Sequence, residues 1–452
     1  MKIAIIGAGY VGLVSGVGLA NIGHQVFCVD KDKNKIANLK NGIIPIYEPD
    51  LEKFLQRAQK EKKIIFTNKL AEIINEVEAV FIAVGTPLKE SDGSADLSCV
   101  YEVANEIAQT AQTAKKYLAI ITKSTVPIGT GAQIKKIIKQ TNSQLEFSII
   151  SNPEFLREGQ AIADFMNPDR IVIGCEDAGA KKIMAEIYDF WAKKSVPIIY
   201  CDITSAEMIK YAANSFLATK VAFINEIANL CEKVGGDIKK ISLALGLDLR
   251  IGNKFLNPGP GFGGSCFPKD IIALNQIAFK HNIKLSIIDA VINGNQARKN
   301  YMVEKIISAC GGNISGKIIA VLGLAFKAGT DDVRYSPAIE IIKTLLKRGA
   351  KIQVFDPQAM QNGKKILDEK LSGDKKNKKI IYCANSYEAA DGADALVIAT
   401  EWEEFSKLDL AKLKERQNQS VIIDLRNILE AEKVTRAGFK YIFIGQKYTT
   451  LA

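Results

Sequence analysis

Lys2-Ile-Ala-Ile-Ile-Gly7-Ala-Gly-Tyr-Val-Gly12, an apolar run to Ile22, Gly23, and then His24-Gln-Val-Phe-Cys-Val-Asp30 form the stretch that decides the fold. Residues 2–6 read as a short buried strand, the run after Gly12 as a helix stopped by Gly23, and 24–29 as a second strand ending at Asp30. Between strand and helix stands Gly7-x-Gly9-x-x-Gly12. Gly7 permits a tight turn, Gly9 lets backbone approach a pyrophosphate, and Gly12 lets helix and sheet pack closely. The helix N-terminus favours phosphate charge. Asp30 can accept from the adenosine ribose hydroxyls, and its charge disfavours a 2′-phosphate, so NAD is favoured over NADP. A flavin fold is the alternative, but no second flavin-binding element is recognisable.

The same α/β rhythm runs outward from this unit. Apolar strands are expected at 79–84, 117–123, 147–151, 171–174 and 197–200, which completes a first Rossmann-like domain over 1–200. Residues 201–312 read as a helical central region. Ser205 to Lys233 carries a long helical pattern without internal Gly or Pro, and Lys269–Gly311 is helix-rich again. Residues 313–452 begin a second nucleotide-domain-like unit: strand 317–322, Gly323, a helix Ser336–Arg348 opened by Pro337, and strand 351–355 ending at Asp356. Strands at 396–400 and 421–424 follow, and the charged segment 364–379 reads as a surface loop. The fold class is α/β, two Rossmann-like domains joined by a helical central region with a long helix.

At 452 residues the chain exceeds what a single core usually supports. No apolar run reaches the ~18 residues of a membrane span. The glycine turn interrupts the apolar N-terminus before it could serve as a signal peptide, so a cytoplasmic protein is expected. The net charge of +10 comes from dispersed lysines rather than a stripe with aromatic or arginine readers, which argues against a nucleic-acid partner. The eight cysteines lie far apart and there are two histidines, so no metal site is expected.

The second informative stretch is Gly261-Phe-Gly-Gly-Ser-Cys266-Phe-Pro-Lys-Asp270. A thiolate at Cys266 could attack an aldehyde, and a second hydride transfer would turn the thiohemiacetal into a thioester for water to release. Backbone N–H groups of Gly263 and Gly264 could bind phosphate or an oxyanion. The plainer reading is an inert cysteine in a tight turn. Lys210 and Asn214 are four apart on the long helix and share a face. In isolation they read as a surface pair, but facing a crevice they could stabilise a developing alkoxide. Asp270 could accept a proton or orient water. Glu154 and Glu158, in Asn152-Pro-Glu-Phe-Leu-Arg-Glu-Gly159, read either as chemistry or as caps and ion pairs with Arg157. Val84-Gly-Thr86-Pro87 and Lys123-Ser-Thr125-Val-Pro127 each follow a strand, where loops point toward a bound dinucleotide.

With these motifs together, the chain closely resembles the nucleotide-sugar dehydrogenases of the UDP-glucose/GDP-mannose dehydrogenase family, and within them the enzymes acting on UDP-glucose. The resemblance covers all three regions. It implies oxidation of UDP-glucose at C6 to UDP-glucuronate with two NAD+ per product. It implies Cys266 as nucleophile, Lys210 and Asn214 as stabilisers of the reacting oxygen, Asp270 in proton transfer or water positioning, Thr125 orienting water, and Glu154 as acid/base in thioester hydrolysis. It places Tyr10, Val11, Lys35, Thr86, Pro87, Glu158 and Arg334 at the cofactor, with Gly7, Gly9, Gly12 and Asp30. Phe155, Leu156, Phe255, Gly263, Lys327 and Arg426 fall at the substrate, which Arg250 reaches from the second subunit of a homodimer. Phe267 fits the UDP-glucose group. Dehydrogenases of GDP-mannose or UDP-N-acetylmannosamine, a one-step dehydrogenase with Cys266 structural, and a non-enzymatic NAD sensor are the alternatives.

Overall fold

Strand β1 (Lys2–Ile6) pairs in parallel with β2 (Gln25–Val29) on one side and β4 (Ala79–Ile82) on the other, with Ile3 opposite both Val26 and Ala79. β3 (Ile64–Thr67), β5 (Leu118–Thr122), β6 (Phe147–Ser151), β7 (Ile171–Gly174) and β8 (Ile198–Cys201) complete a sheet of order β3-β2-β1-β4-β5-β6-β7-β8. All neighbours are parallel except β6 and β7, which meet antiparallel through Ser151 and Gly174. Helices cover both faces, so the strands are continuous apolar runs such as Ile3–Ile6, all buried. The strand order reverses between β1 and β4, and the crevice outside the carboxyl ends at that point is where an open α/β sheet binds its ligand.

The computed structural model describes residues 1–111, 117–371 and 380–446 and divides into two compact units: 1–213 with 272–283, and 214–271 with 284–452. The second unit holds β9 (Ile318–Leu322), β10 (Lys351–Phe355), β11 (Ile380–Tyr382), β12 (Ala395–Ile398), β13 (Val421–Asp424) and β14 (Lys440–Phe443), in the order β11-β10-β9-β12-β13-β14 and parallel throughout. Although this half lacks the full glycine pattern, its first turn repeats the first sheet's. Gly7 and Gly323 share φ +101°. Gly7 donates to Val29 O and Gly323 to Phe355 O, each at 2.8 Å. Asp356 then stands where Asp30 stands. Its Oδ2 accepts from Leu324 N, Ala325 N and Trp402 Nε1, and its Oδ1 from Gln358 N and Ala359 N.

The long helix runs Ile203–Val234 without a break. In the second unit Ile224, Ala228 and Cys231 from it pack with Met302, Val303 and Ile306 of the helix Ser286–Ala309, and the same core includes Ile339, Ile342 and Leu345 of the helix Pro337–Lys347 and Val321, Val354 and Val397 of the sheet. The buried Glu232–Lys305 ion pair, 2.8 Å, crosslinks two of these helices.

One sequence expectation changes. Residues 364–371 are not loop but the end of a helix, Met360–Leu371, whose charges face solvent while Gly363 and Leu367 are buried. Residues 372–379 lie outside the described residues. The helix-rich stretch after Lys269 is two helices, Phe267–Lys280 and Ser286–Ala309. β3, β11 and β14 had no sequence reading.

Candidate active site

In the first unit the glycine turn is shaped by contact. A Cβ on Gly12 would lie 1.8 Å from Gly7 O, and one on Gly7 2.6 Å from Ala83 O, whereas one on Gly9 would meet nothing within 4 Å. The turn is therefore closed on its protein side and open where a pyrophosphate would lie. The helix Tyr10–Asn21 begins there, and its first N–H groups, including those of Tyr10 and Val11, have no intrahelical acceptor by geometry. Asp30 accepts from Ala8 N at 2.9 Å, Asp32 N at 3.0 Å and Lys35 Nζ at 2.9 Å. Burial works against its charge, but Lys35 and the two N–H donors outweigh it and hold the carboxyl below the usual aspartate range. Lys35 thus grips the acid at the end of β2. Thr86 Oγ1 donates to Thr125 O at 2.8 Å and Ser124 Oγ to Val84 O at 2.7 Å, tying together the loops that follow β4 and β5. These residues fit NAD: an open cradle, a helix N-terminus and a single acid at the strand end.

The loop after β6 carries Glu154. Its Oε1 lies 2.9 Å from Lys210 Nζ, both side chains are buried, and its Oε2 accepts from Leu156 N at 2.5 Å. Phe155 packs its ring against the Arg170 guanidinium at 3.6 Å and lies 5.5 Å from the Lys210 ammonium. Arg157 does not pair with Glu154 or Glu158. It forms a two-pronged bridge to Asp164, because the loop turns before becoming helical and four-residue spacing has no meaning there. Glu158 is buried. Behind this loop Lys123 Nζ donates to Asn152 Oδ1 at 3.0 Å, which also accepts from Tyr188 OH. Complete burial pushes the Lys123 ammonium down to about 8; Glu154 opposes the shift and Lys210 adds to it. Sequence reasoning quoted Lys123 and Asn152 within their motifs without giving either a role, and Tyr188 carried no signal beyond polarity.

In the second unit, Cys266 immediately precedes the helix Phe267–Lys280, where a helix N-terminus favours a thiolate, and its Sγ lies 3.4 Å from Ser265 Oγ. It is partly exposed. One turn on, Asp270 is fully buried; Asn214 Nδ2 donates to its Oδ2 at 2.6 Å and Lys269 Nζ lies 2.5 Å from its Oδ1. Lys210 and Asn214 are both buried, not the surface pair that isolation suggested.

The glycines before Cys266 are set by crowding. A Cβ on Gly263 would sit 2.5 Å from Tyr335 O, and one on Gly264 about the same short distance, 2.8 Å, from the Phe326 ring. Gly264 N–H donates to Arg334 O at 2.8 Å, so it is not offered to an oxyanion as expected. The loop is clamped from the other side by Asn295, which bonds Phe262 N at 2.8 Å and Phe262 O at 3.1 Å. Phe255 adopts φ +65° and packs on Phe267 at 5.9 Å. Arg426 donates to Phe326 O and Ala399 O and pairs with Glu401 at 3.0 Å. Lys327 Nζ lies 5.4 Å from the Phe326 ring, and Arg334 pairs with Asp332. Lys327, Arg426 and Gly264 therefore gather around Phe326. Arg250 stands apart, its side chain 88% exposed and held by Asp248.

Comparison with known proteins places this geometry. Models of the UDP-glucose/GDP-mannose dehydrogenase family match over 1–192 (NAD binding domain), 204–297 (central domain) and 320–431 (UDP binding domain). The chain belongs to that family. As the NAD binding domain implies, it is a nicotinamide-dependent oxidoreductase. The chain is 47% identical to the UDP-glucose 6-dehydrogenase of Rhizobium meliloti over 99% of its own length and 100% of that protein's. It is 44% identical to one from Bacillus subtilis, over 98% and 93%. The solved UDP-glucose dehydrogenase of Pyrobaculum islandicum matches with TM-score 0.88 at 35% identity over 99% of this chain and 98% of that one. The UDP-D-ManNAc dehydrogenase of Pyrococcus horikoshii gives 0.84 at 25%, over 98% and 99%. Among the described residues no helix is long and apolar enough to cross a membrane, and no group of three or more His, Cys, Asp or Glu could hold a metal ion.

Proposed function

We propose that this family member oxidises C6 of UDP-glucose to the carboxylate of UDP-glucuronate, with Cys266 carrying the carbon between two hydride transfers. The observation that carries the reading is the thiol at a helix N-terminus one turn before the fully buried Asp270, which holds Asn214. NAD+, when bound, accepts each hydride. Asp30 with Lys35 orients the ribose, and Tyr10, Val11, Thr86, Pro87, Thr125, Glu158 and Arg334 are assigned to the cofactor as well. Lys210 and Asn214 stabilise the negative charge that develops on O6 as its proton passes to Asp270. The Cys266 thiolate adds to the aldehyde carbon, and the resulting thiohemiacetal loses a second hydride to become a thioester. Water oriented by Thr125 then attacks with Glu154 as base. The C–S bond breaks and the thiolate returns.

Phe155, Leu156, Phe255, Gly263, Lys327 and Arg426 are assigned to the nucleotide sugar. Cofactor binding belongs to 1–200, the helical region to 201–312 and UDP-sugar binding to 313–452. A cytoplasmic location is part of the same reading.

The assembly is a homodimer in this reading. Phe216, Phe223 and Leu230 repeat every seven residues along the long helix and are 67%, 48% and 56% exposed, an apolar stripe suited to a second copy. Leu249 and Ile251 are exposed on either side of Arg250, which supports delivery of that arginine to the partner's substrate.

The test is to supply UDP-glucose, GDP-mannose and UDP-N-acetylmannosamine with NAD+, identify the products and count NADH. Two NADH per UDP-glucuronate supports the reading, and no turnover of UDP-glucose sinks it. Cys266→Ser should abolish net acid formation; unchanged turnover would remove Cys266 from the chemistry.

A further inference from the structure

Glu48 lies in the connection between the helices Lys33–Lys40 and Leu51–Lys60, in Pro45-Ile-Tyr-Glu48-Pro. Nothing in that local sequence marks it, yet its side chain is buried. Its Oε1 accepts from Ala161 N at 2.6 Å and its Oε2 from Gly159 N at 2.7 Å. Oε2 also takes a hydrogen bond from Tyr10 OH, and that hydroxyl in turn accepts from Gly159 N at 2.9 Å. Tyr10 is the first residue of the cofactor helix, and Gly159, at φ +80°, closes the loop that carries Glu154 and Glu158. One carboxylate therefore ties two pieces of the first unit together: the pyrophosphate turn and the loop assigned to hydrolysis.

We propose that Glu48 is a positioning residue that locks the Glu154–Glu158 loop to the cofactor turn, so that cofactor grip and thioester hydrolysis depend on the same side chain. The hydrolysis half rests on the reading of Glu154 given above; the cofactor half does not. A carboxylate suits the role because it only accepts, and Tyr10 OH, Gly159 N and Ala161 N are all donors. A glutamine of the same shape must turn its NH2 toward one of those donors, so Glu48→Gln breaks at least one strand of the lock without leaving a cavity.

The experiment uses the full chain with NAD+ and UDP-glucose. Glu48→Gln should raise the KM for NAD+ at least fivefold and lower kcat at least tenfold. It should also convert NADH production into a burst followed by a slow phase, with the acyl-enzyme on Cys266 visible in the intact mass. Tyr10→Phe, which removes only the hydroxyl, should raise the KM for NAD+ with a smaller fall in kcat. Melting temperature measured alongside separates the lock from simple loss of fold. Values of kcat and KM within twofold of the parent in folded Glu48→Gln overturn the proposal, as does a fall in kcat without acyl-enzyme accumulation while Glu154→Gln does accumulate it. If Glu48→Gln does not fold, Tyr10→Phe with an unchanged KM for NAD+ overturns it. If Glu154→Gln itself shows no accumulation, the hydrolytic role of Glu154 falls, and the KM for NAD+ of Glu48→Gln still decides the lock.

Discussion

Gly9→Ala and Gly12→Ala, made separately, should damage different properties of the same turn. At Gly12 the new methyl would lie 1.8 Å from Gly7 O and 3.0 Å from Gly7 C, both backbone atoms. Ordinary carbon contacts begin near ~3.5 Å, so strand end and helix must separate by on the order of 1.5 Å inside a packed core. Overpacking of that kind costs about 1–3 kcal/mol. In a folding unit of 150–250 residues each kcal/mol moves Tm by about 2–4 °C, giving a loss of ~2–12 °C without any cofactor. Gly9 has φ −82° and open space where the methyl would go, so alanine there leaves the protein's own stability intact. The methyl instead occupies the approach of the pyrophosphate and should weaken NAD+ by at least about tenfold, ~1.4 kcal/mol. Thermal unfolding by circular dichroism without cofactor, followed by calorimetric titration with NAD+, separates the two. Equal loss of Tm in both variants, or Gly9→Ala binding NAD+ like the parent, would refute the account of the turn.

Lys123→Met should raise stability by about 1–3 kcal/mol at pH 7, because a wholly buried ammonium with a depressed pKa is replaced by an apolar side chain of similar length. The unfolded chain binds the Lys123 proton more readily than the folded one, so the parent gains stability as pH rises from about 8 toward 10.5 and the variant's advantage should shrink there. An advantage independent of pH, measured by denaturant unfolding, would contradict this. Glu207 accepts from Gly129 N and Gly131 N, yet burial raises its pKa to about 6. The folded state holds this proton longer than the unfolded one, so the parent should lose about 2 kcal/mol in all relative to Glu207→Gln as pH rises from below about 4.5 to well above 6. A parallel pH dependence of the two proteins would rule it out. With the parent measured as the proposed dimer, Phe223→Glu should sediment as a monomer and lose turnover if Arg250 acts in its partner; a dimeric variant would exclude the helix stripe as the interface.

The sequence carried the parts of this protein that depend on near neighbours. The glycine turn, Asp30 and the alternation of strand and helix were legible because each is a local pattern tied to a backbone need. Lys210 and Asn214 were placed on one face by helical spacing alone. Long-range partners were not legible. Asp270 finds Asn214 fifty-six residues away, and Glu48 finds Gly159 at a separation of 111. Arg157 chose Asp164 over both nearer glutamates, because only the folded path of the loop determines which carboxylate it meets. The availability of the Gly264 N–H was misread for the same reason: its acceptor, Arg334 O, comes from a distant turn.

Asp356 stands at the end of β10 as Asp30 stands at the end of β2, but five donors from its own surroundings already fill its two oxygens. The second sheet repeats the socket and plugs it from within. Among the described residues, only the first sheet retains a strand-end acid beside an open glycine turn. A reaction that removes two hydrides from one carbon must therefore exchange its nicotinamide halfway, through the same doorway, with the half-oxidised sugar still in place. In the proposed sequence the Cys266 thiol would act as a mooring as much as a nucleophile: a carbon bonded to sulfur cannot drift away as an aldehyde while the spent cofactor leaves and its replacement arrives.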